Sequence, residues 1–403
     1  MFHIQKTSVC YNINALFSCR VKGYLSMTAK KKNTQKHMKR KSPRKKTRRR
    51  TSRKNNRKFQ KWQLALIAIG VLLIAGVTGL HLYSHPTQIG SGKYTHAAKF
   101  DNALVIDGID VSYAQGDGAS HNWNQVKRSG VDFVFIRAGY RDSSKGKLHA
   151  DSEFKENIQG ARKAGLMVGI YFYSQATTKK EAREEARKLV NAADGYQIDL
   201  PLVMDYELYP KGRLEKFMNG KKYKAAKGTE IAEAFCEVVR EAGYEPSVYS
   251  NYNLLMHKVN PKKVAGFARV WLAHYNSSTD YPHNYTFWQA SFEEKVHGIS
   301  GTVDRNFWYF GPNGEATRGR RAAGARSIRD CTVQLEKHSF YYIGKPIQPK
   351  LIVKDGNTPL REGTDYQVGY VKNASAGTGY AIVTGIGKYK DRISTGFRIK
   401  TLL

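Results

Sequence analysis

From Ala103 to Tyr309 short apolar runs alternate with amphipathic stretches, and this rhythm constrains the fold more than any other feature of the chain. The runs Ala103–Ser112, Phe133–Arg141, Met167–Ser174, Leu200–Leu208, Pro246–Asn251, Arg269–Tyr275, Tyr285–Ser291 and Gly301–Tyr309 read as strands. Helical patterns cover Glu153–Ala164, Thr178–Ala193 and Thr229–Ala242, each closed by a glycine (Gly165, Gly195, Gly243) where a helix stop is expected. Strand–helix alternation predicts parallel strands, and eight of them over about 210 residues fit a TIM-like α/β barrel occupying 103–311. The late strands are about ten residues apart, too close for a crossover helix, so the helical ring is expected to be incomplete there. A doubly wound open sheet is the alternative, but no GxGxxG or GxxxxGK[ST] follows any strand.

Charge is placed unevenly. The chain has 67 Lys and Arg against 33 Asp and Glu; residues 1–100 hold 23 of the basic residues and no acidic one. A uniformly basic nucleic-acid binder is therefore a poor description, and no nucleic-acid partner is expected. Residues 1–61 read as a disordered basic tail, too self-repelling and too poor in apolar side chains to fold. Met27 is a plausible true start. Residues 62–83, from Trp62 to Tyr83, carry no charged residue over 22 positions, enough for a transmembrane helix with an aromatic at each end. The basic flank keeps the N-terminus cytoplasmic, which predicts a single-pass plasma-membrane protein with its catalytic domain outside the cell. A cleaved signal peptide fits less well, because the basic region is too long and no A-x-A-like site follows. Residues 84–102 read as a linker.

Chemistry in a parallel barrel collects where the strands end. Strand one ends Gly108-Ile109-Asp110-Val111-Ser112, strand four ends Met204-Asp205-Tyr206-Glu207, and the last strand carries Val303-Asp304-Arg305-Asn306. Residues i and i+2 of a strand share a face, so Asp205 and Glu207 lie on one side, about 7 Å apart. They follow Leu200-Pro201-Leu202-Val203-Met204, an apolar run of buried-strand type. Acids crowded into a lumen raise one another's pKa, and a protonated carboxyl beside an ionised one is the machinery of glycoside hydrolysis. On an exposed edge the same Asp-x-Glu would be solvated surface, and a lone strand-tip Asp more often caps a turn. Tyr140, Tyr171, Tyr173, Tyr206, Tyr249, Trp271, Tyr275 and Trp288 fall at or near strand ends, where aromatic faces can stack on sugar rings. Tyr209 to Lys227, rich in Lys and Gly, is expected to form a mobile basic loop at the rim. No CxxC pair or HExxH offers a metal site, and no metal or cofactor is expected.

At these residues the chain resembles the glycoside hydrolase family 25 lysozymes, the Chalaropsis-type muramidases. The matching segments run in family order over about half the chain: Gly108–Ser112 with Gln115-Gly116, Phe135–Tyr140, Gly169–Ser174, Asp205-Tyr206-Glu207, Trp288-Gln289, Gly298-Ile299 and Val303-Asp304. The resemblance implies a modified (β/α)5β3 barrel. It also implies hydrolysis of β-1,4 bonds between N-acetylmuramic acid and N-acetylglucosamine in peptidoglycan glycan strands, without a cofactor. Carried over residue by residue, it implies Glu207 as general acid and Asp205 as the group orienting the substrate's 2-acetamido nucleophile. Asp110 and Asp304 would complete the acidic floor. Tyr140, Tyr171, Tyr173, Tyr206, Trp271 and Trp288 are the candidate substrate contacts. Tyr113-Ala114 stands where the family often has Trp or His. A non-catalytic, membrane-anchored glycan-binding surface protein is the competing function.

Residues 312–330 read as a Gly/Ala/Arg-rich linker, and 331–403 as a small all-β, sandwich-like module with hairpin signals such as Leu351–Lys354 before Asp355-Gly356-Asn357. Its Tyr342-Ile343-Gly344 to Pro349 run and Gly379-Tyr380-Ala381-Ile382-Val383-Thr384 run resemble immunoglobulin-like repeats of bacterial surface proteins. Cys236 and Cys331 are read as unpaired, a disulfide between them in an exported chain being the alternative.

Overall fold

The structure, a computed structural model, describes residues 93–317 and 324–402. All of them belong to the second of two units into which the chain divides, Tyr83–Leu403. The basic tail 1–61 and the apolar segment 62–83 lie outside the described residues. Among the described residues no helix is long and apolar enough to cross a membrane.

Nine strands build the first sheet: β1 Leu104–Val111, β2 Phe133–Arg141, β3 Leu148–Ala150, β4 Met167–Ser174, β5 Leu202–Tyr206, β6 Pro246–Asn251, β7 Arg269–Ala273, β8 Phe287–Glu294 and β9 Val303–Phe310. Their order is β1-β9-β8-β7-β6-β5-β4-β2-β3, and a further β1–β2 pairing closes the sheet on itself as a barrel, with β3 hanging from β2 as a short hairpin. Seven helices accompany it: α1 Trp123–Arg128, α2 Phe154–Lys163, α3 Lys179–Ala193, α4 Arg213–Met218, α5 Ala225–Glu241, α6 Tyr252–His257 and α7 Pro261–Phe267. The expectation of parallel strands fails at β9, which is antiparallel to both β1 and β8. The connection from β8 is too short for a crossover and can only make a hairpin. This reversal brings the first residues of β9 to the rim where the parallel strands end.

Alternation divides each strand between two cores. On β5, Leu202, Met204 and Tyr206 face the helices, whereas Val203 joins the lumenal cluster of Phe133, Phe135, Tyr171, Tyr249, Trp271 and Trp308. Both faces are buried, which is why these strands read as nearly continuous apolar runs. Two glycines make the aromatic lumen possible: a Cβ on Gly108 would stand 2.4 Å from the Phe133 ring, and one on Gly169 would stand 2.3 Å from that of Phe135.

The stretch read as a linker before the barrel is folded where it is described. Phe100 stacks on Tyr309 with ring centroids 3.7 Å apart, and His96 Nδ1 lies 2.9 Å from the Tyr309 hydroxyl. The Tyr209–Lys227 segment, expected to be a mobile loop, instead holds α4, whose Leu214 and Met218 are buried, and the first turn of α5. A side chain buried every fourth residue gives that segment a helical footing that its lysines hide.

The all-β region comprises β10 Arg326–Ser327, β11 Thr332–Leu335, β12 Ser339–Tyr341, β13 Leu351–Asp355, β14 Thr358–Pro359, β15 Tyr366–Val371, β16 Gly377–Gly385, β17 Tyr389–Lys390 and β18 Arg392–Lys400. They form a four-stranded sheet β12-β18-β16-β15, a three-stranded sheet β11-β13-β14 and the pair β10-β17. This region packs against the starts of the barrel strands. Val371 and Ile382 belong to the lumenal core, and Gly369 lies against Met167. Polar groups seal the seam: Lys127 Nζ bonds Asp132 at 2.8 Å and the Tyr370 carbonyl at 3.0 Å, and Arg392 bonds Glu245 at 2.7 Å and the Asp199 carbonyl at 2.8 Å. Glu315, in the stretch read as the second linker, is buried beside Arg269 and Arg392.

Candidate active site

Four carboxyls meet at the mouth where the parallel strands end. Asp110 is the seventh residue of β1, Asp205 the fourth of β5, Glu207 follows β5 directly, and Asp304 is the second residue of β9. Asp110 and Asp205 are buried, and Glu207 and Asp304 are half-buried. Asp205 alternates with outward-facing Met204 and Tyr206, so it points into the lumen above Val203.

Two amides hold Asp110. Its Oδ2 accepts from Gln289 Nε2 at 2.7 Å and Asn306 Nδ2 at 2.8 Å. Each amide is itself oriented. Gln289 Oε1 accepts from the Tyr249 and Tyr275 hydroxyls at 2.7 and 3.0 Å, and Asn306 Oδ1 accepts from Trp271 Nε1 at 2.8 Å. With their oxygens occupied, both amides present N–H to Asp110 and favour its ionised form. Burial still lifts Asp110 to about 6, against those two donors and the Arg137 guanidinium.

Glu207 has no such help. Burial first, and the Asp110 charge second, raise it to about 7, while Arg137 pulls it down. Asp205 is raised well above the ordinary carboxylate range by burial, then by Glu207 and Asp110. Asp304 is raised likewise by burial, then Asp110 and Glu207. Such groups titrate as a set and share protons among them near neutral pH. Asp205 Oδ1 and the Tyr173 hydroxyl are buried with no hydrogen-bond partner among the described residues. Both stand ready for a group that a ligand would supply.

Among the aromatic candidates, Tyr171 and Tyr173 lie on the lumenal side near the acids, and burial raises both phenols well above their usual range. Tyr140 sits at the rim, its ring 4.9 Å from His149 and 6.5 Å from exposed Tyr113. Three candidates need correction. Tyr206 is wholly buried between sheet and helices, its hydroxyl donating to the Ala176 carbonyl at 3.3 Å. Trp288 is wholly buried on that same outer side, its indole N–H on the His274 carbonyl at 2.9 Å. Each neighbours a lumenal residue, Asp205 or Gln289, and adjacent strand residues cannot share a face. Trp271 does face the lumen, but it is stacked on Phe135 at 4.4 Å and only 1% exposed, so it supports Asn306 rather than meeting a ligand.

Sequence reasoning missed Arg137, Gln289, Asn306 and Gln175 as site residues. Arg137 donates to Asp151 at 2.7 Å, lies under the Tyr113 ring at 4.4 Å, and biases three of the four acids toward ionisation. Alternation signals it, two residues after lumenal Phe135, as it signals Asn306 two residues after Asp304.

A barrel whose mouth gathers buried carboxyls, one braced for ionisation and another kept protonated, has the site of a glycoside hydrolase. Residues 109–299 match the model of Glycosyl hydrolases family 25. The Autolytic lysozyme of Clostridium acetobutylicum is 28% identical over 200 residues, covering 49% of this chain and 54% of that protein. Lysozyme M1 of Streptomyces globisporus is 28% identical over 232 residues, covering 53% and 69%. A solved family 25 glycosyl hydrolase from Bacillus anthracis is 22% identical with a TM-score of 0.41, covering 55% of this chain and 95% of that one. The chain spans about half the length of the clostridial relative.

Proposed function

We propose that the barrel is a peptidoglycan muramidase, cleaving the β-1,4 bond between N-acetylmuramic acid and N-acetylglucosamine. The observation that carries this reading is Glu207 held protonated to about 7 in a lumen mouth shared with Asp110, Asp205 and Asp304. Glu207 gives its proton to the glycosidic oxygen as the C1–O bond breaks. The substrate's 2-acetamido carbonyl attacks C1, and its N–H takes the vacant Asp205 Oδ1, which holds the acetamido group in line and stabilises the cation. Glu207, now ionised, takes a proton from the water that opens the ring so formed, and returns to its starting state. Tyr173, with its unpartnered hydroxyl, contacts the acetamido oxygen, and Tyr113 and Tyr140 provide the rim surface for a neighbouring sugar.

The uncharged stretch 62–83 and its basic flank support a single-pass anchor in the plasma membrane, N-terminus inside and barrel outside. The all-β region, similar in sequence to immunoglobulin-like surface repeats, is assigned no chemistry. The test is clearing of purified cell walls by the full chain, with the new reducing-end sugar identified. N-acetylmuramic acid at that end is expected, and Glu207→Gln should abolish clearing. Wall binding without any release of reducing ends would instead make the protein a glycan binder.

A further inference from the structure

Arg213 ties the segment that follows Glu207 to the loop after β4. Arg213, at the first position of α4, donates to the Gln175 carbonyl at 2.7 Å, the Thr177 hydroxyl at 3.3 Å and Glu181 Oε1 at 2.5 Å. Glu181 in turn accepts from the Thr177 backbone N–H at 2.8 Å, so the arginine is held from two sides. Gln175 follows β4 directly and is wholly buried; its Nε2 donates to the Glu207 backbone carbonyl at 2.8 Å. Between Glu207 and Arg213 the chain turns sharply, with Lys211 at φ 61° and its N–H on Glu215 at 2.6 Å. L-residues rarely adopt that conformation without support, and here α4 supplies it.

Glu207 lies one residue past the β5 ladder, and its carboxyl takes no hydrogen bond among the described residues. Its direction therefore depends on how its backbone is held. We propose that Arg213 and Gln175 are positioning residues for Glu207, and that the α4 insertion is a clamp setting where that carboxyl points. The inference rests on Glu207 being the acid of the muramidase reading. Through Gln175, the loop after β4 and the insertion after β5 set one backbone carbonyl, so loosening either frees Glu207 to swing toward water.

The charged and titratable groups facing Glu207 are Asp110 from β1, Arg137 from β2, Tyr173 from β4, Asp205 from β5, Tyr249 from β6, Tyr275 after β7 and Asp304 from β9. None of them changes in the test. Arg213→Met and Gln175→Met, made separately in the full chain, are compared with the parent for wall clearing across pH. A swung-out Glu207 is better solvated and gives up its proton more readily. The alkaline limb of kcat should therefore move to lower pH, kcat should fall about 10- to 100-fold, and KM should stay within about twofold. Arg213→Lys, which can still donate to the Gln175 carbonyl, should recover part of kcat and the limb.

An unmoved alkaline limb in a folded Arg213→Met or Gln175→Met chain overturns the clamp, whatever happens to melting temperature. If one variant does not fold, the other decides. Glu207→Gln run alongside separates the two readings: a variant that still clears walls sinks the muramidase assignment of Glu207, whereas an inactive one leaves only the clamp in question.

Discussion

Asp110 and Asp304 stand directly opposite each other across the antiparallel β1–β9 ladder. Two carboxyls in register on neighbouring strands are a destabilising pair unless at least one carries a proton. Asp110 has two amide donors on one oxygen, and Asp304 has no side-chain donor among the described residues, so protonation falls first on Asp304. The β9 reversal thus adds a fourth carboxyl to the mouth, and protons relieve the crowding that Arg137 leaves.

The pH dependence of clearing follows. Activity should rise as Asp110 ionises through about 6 and fall as Glu207 loses its proton through about 7. A pH–kcat profile in constant ionic strength should be a narrow bell whose two limbs belong to the coupled cluster. A flat profile from pH 5 to 8 would contradict the assignment of Glu207 as acid.

Asn306→Leu should separate the amide brace from the acid. The substitution removes one of two N–H donors from Asp110 and raises its pKa further. The acid limb should shift to higher pH and kcat at pH 6 should drop about tenfold. The alkaline limb should move less and to lower pH, because a protonated Asp110 no longer raises Glu207.

Glu207→Gln should be more stable than the parent at alkaline pH. A carboxyl with a raised pKa in the folded state binds its proton more tightly there than when unfolded, so stability is lost as pH rises from about 4.5 through about 7. Glutamine never ionises and escapes that loss. Melting curves should show the variant a few degrees higher at pH 8 and level with the parent at pH 4.

Arg392→Leu tests the seam between barrel and all-β region. Glu245 is held at about 2 by Arg269 and Arg392 against its burial. Its lowered pKa contributes stability that is present above about 4.5 and fades as pH falls toward 2. Removing one of the arginines that pair with it should cost about 3 kcal/mol at pH 7 by denaturant unfolding. A chain stopped after Thr317 should fare worse, because Val371 and Ile382 leave the lumenal core.

Local rules made much of this legible in advance. The eight barrel strands and the three long helices follow from periodicity and glycine stops, and Asp205 follows from an apolar run that can only be buried. The alternation that placed Asp205 inward also placed Tyr206 outward, and Trp288 beside Gln289, although reading aromatics by their nearness to strand ends obscured it.

The chain's order of residues determined by itself which side chains share a strand face and where acids end strands, because period and turn chemistry act over a few residues. Tertiary structure alone decided that β9 runs backward, that Gln289 and Asn306 meet on one oxygen of Asp110, that Arg213 of the lysine-rich insertion grips the Gln175 carbonyl, and that the all-β region closes the far end of the barrel. Those contacts join residues as far apart as Asp110 and Asn306, 196 positions in the chain. Hydrogen bonds and charge interactions over such separations exist only once the sheet has closed.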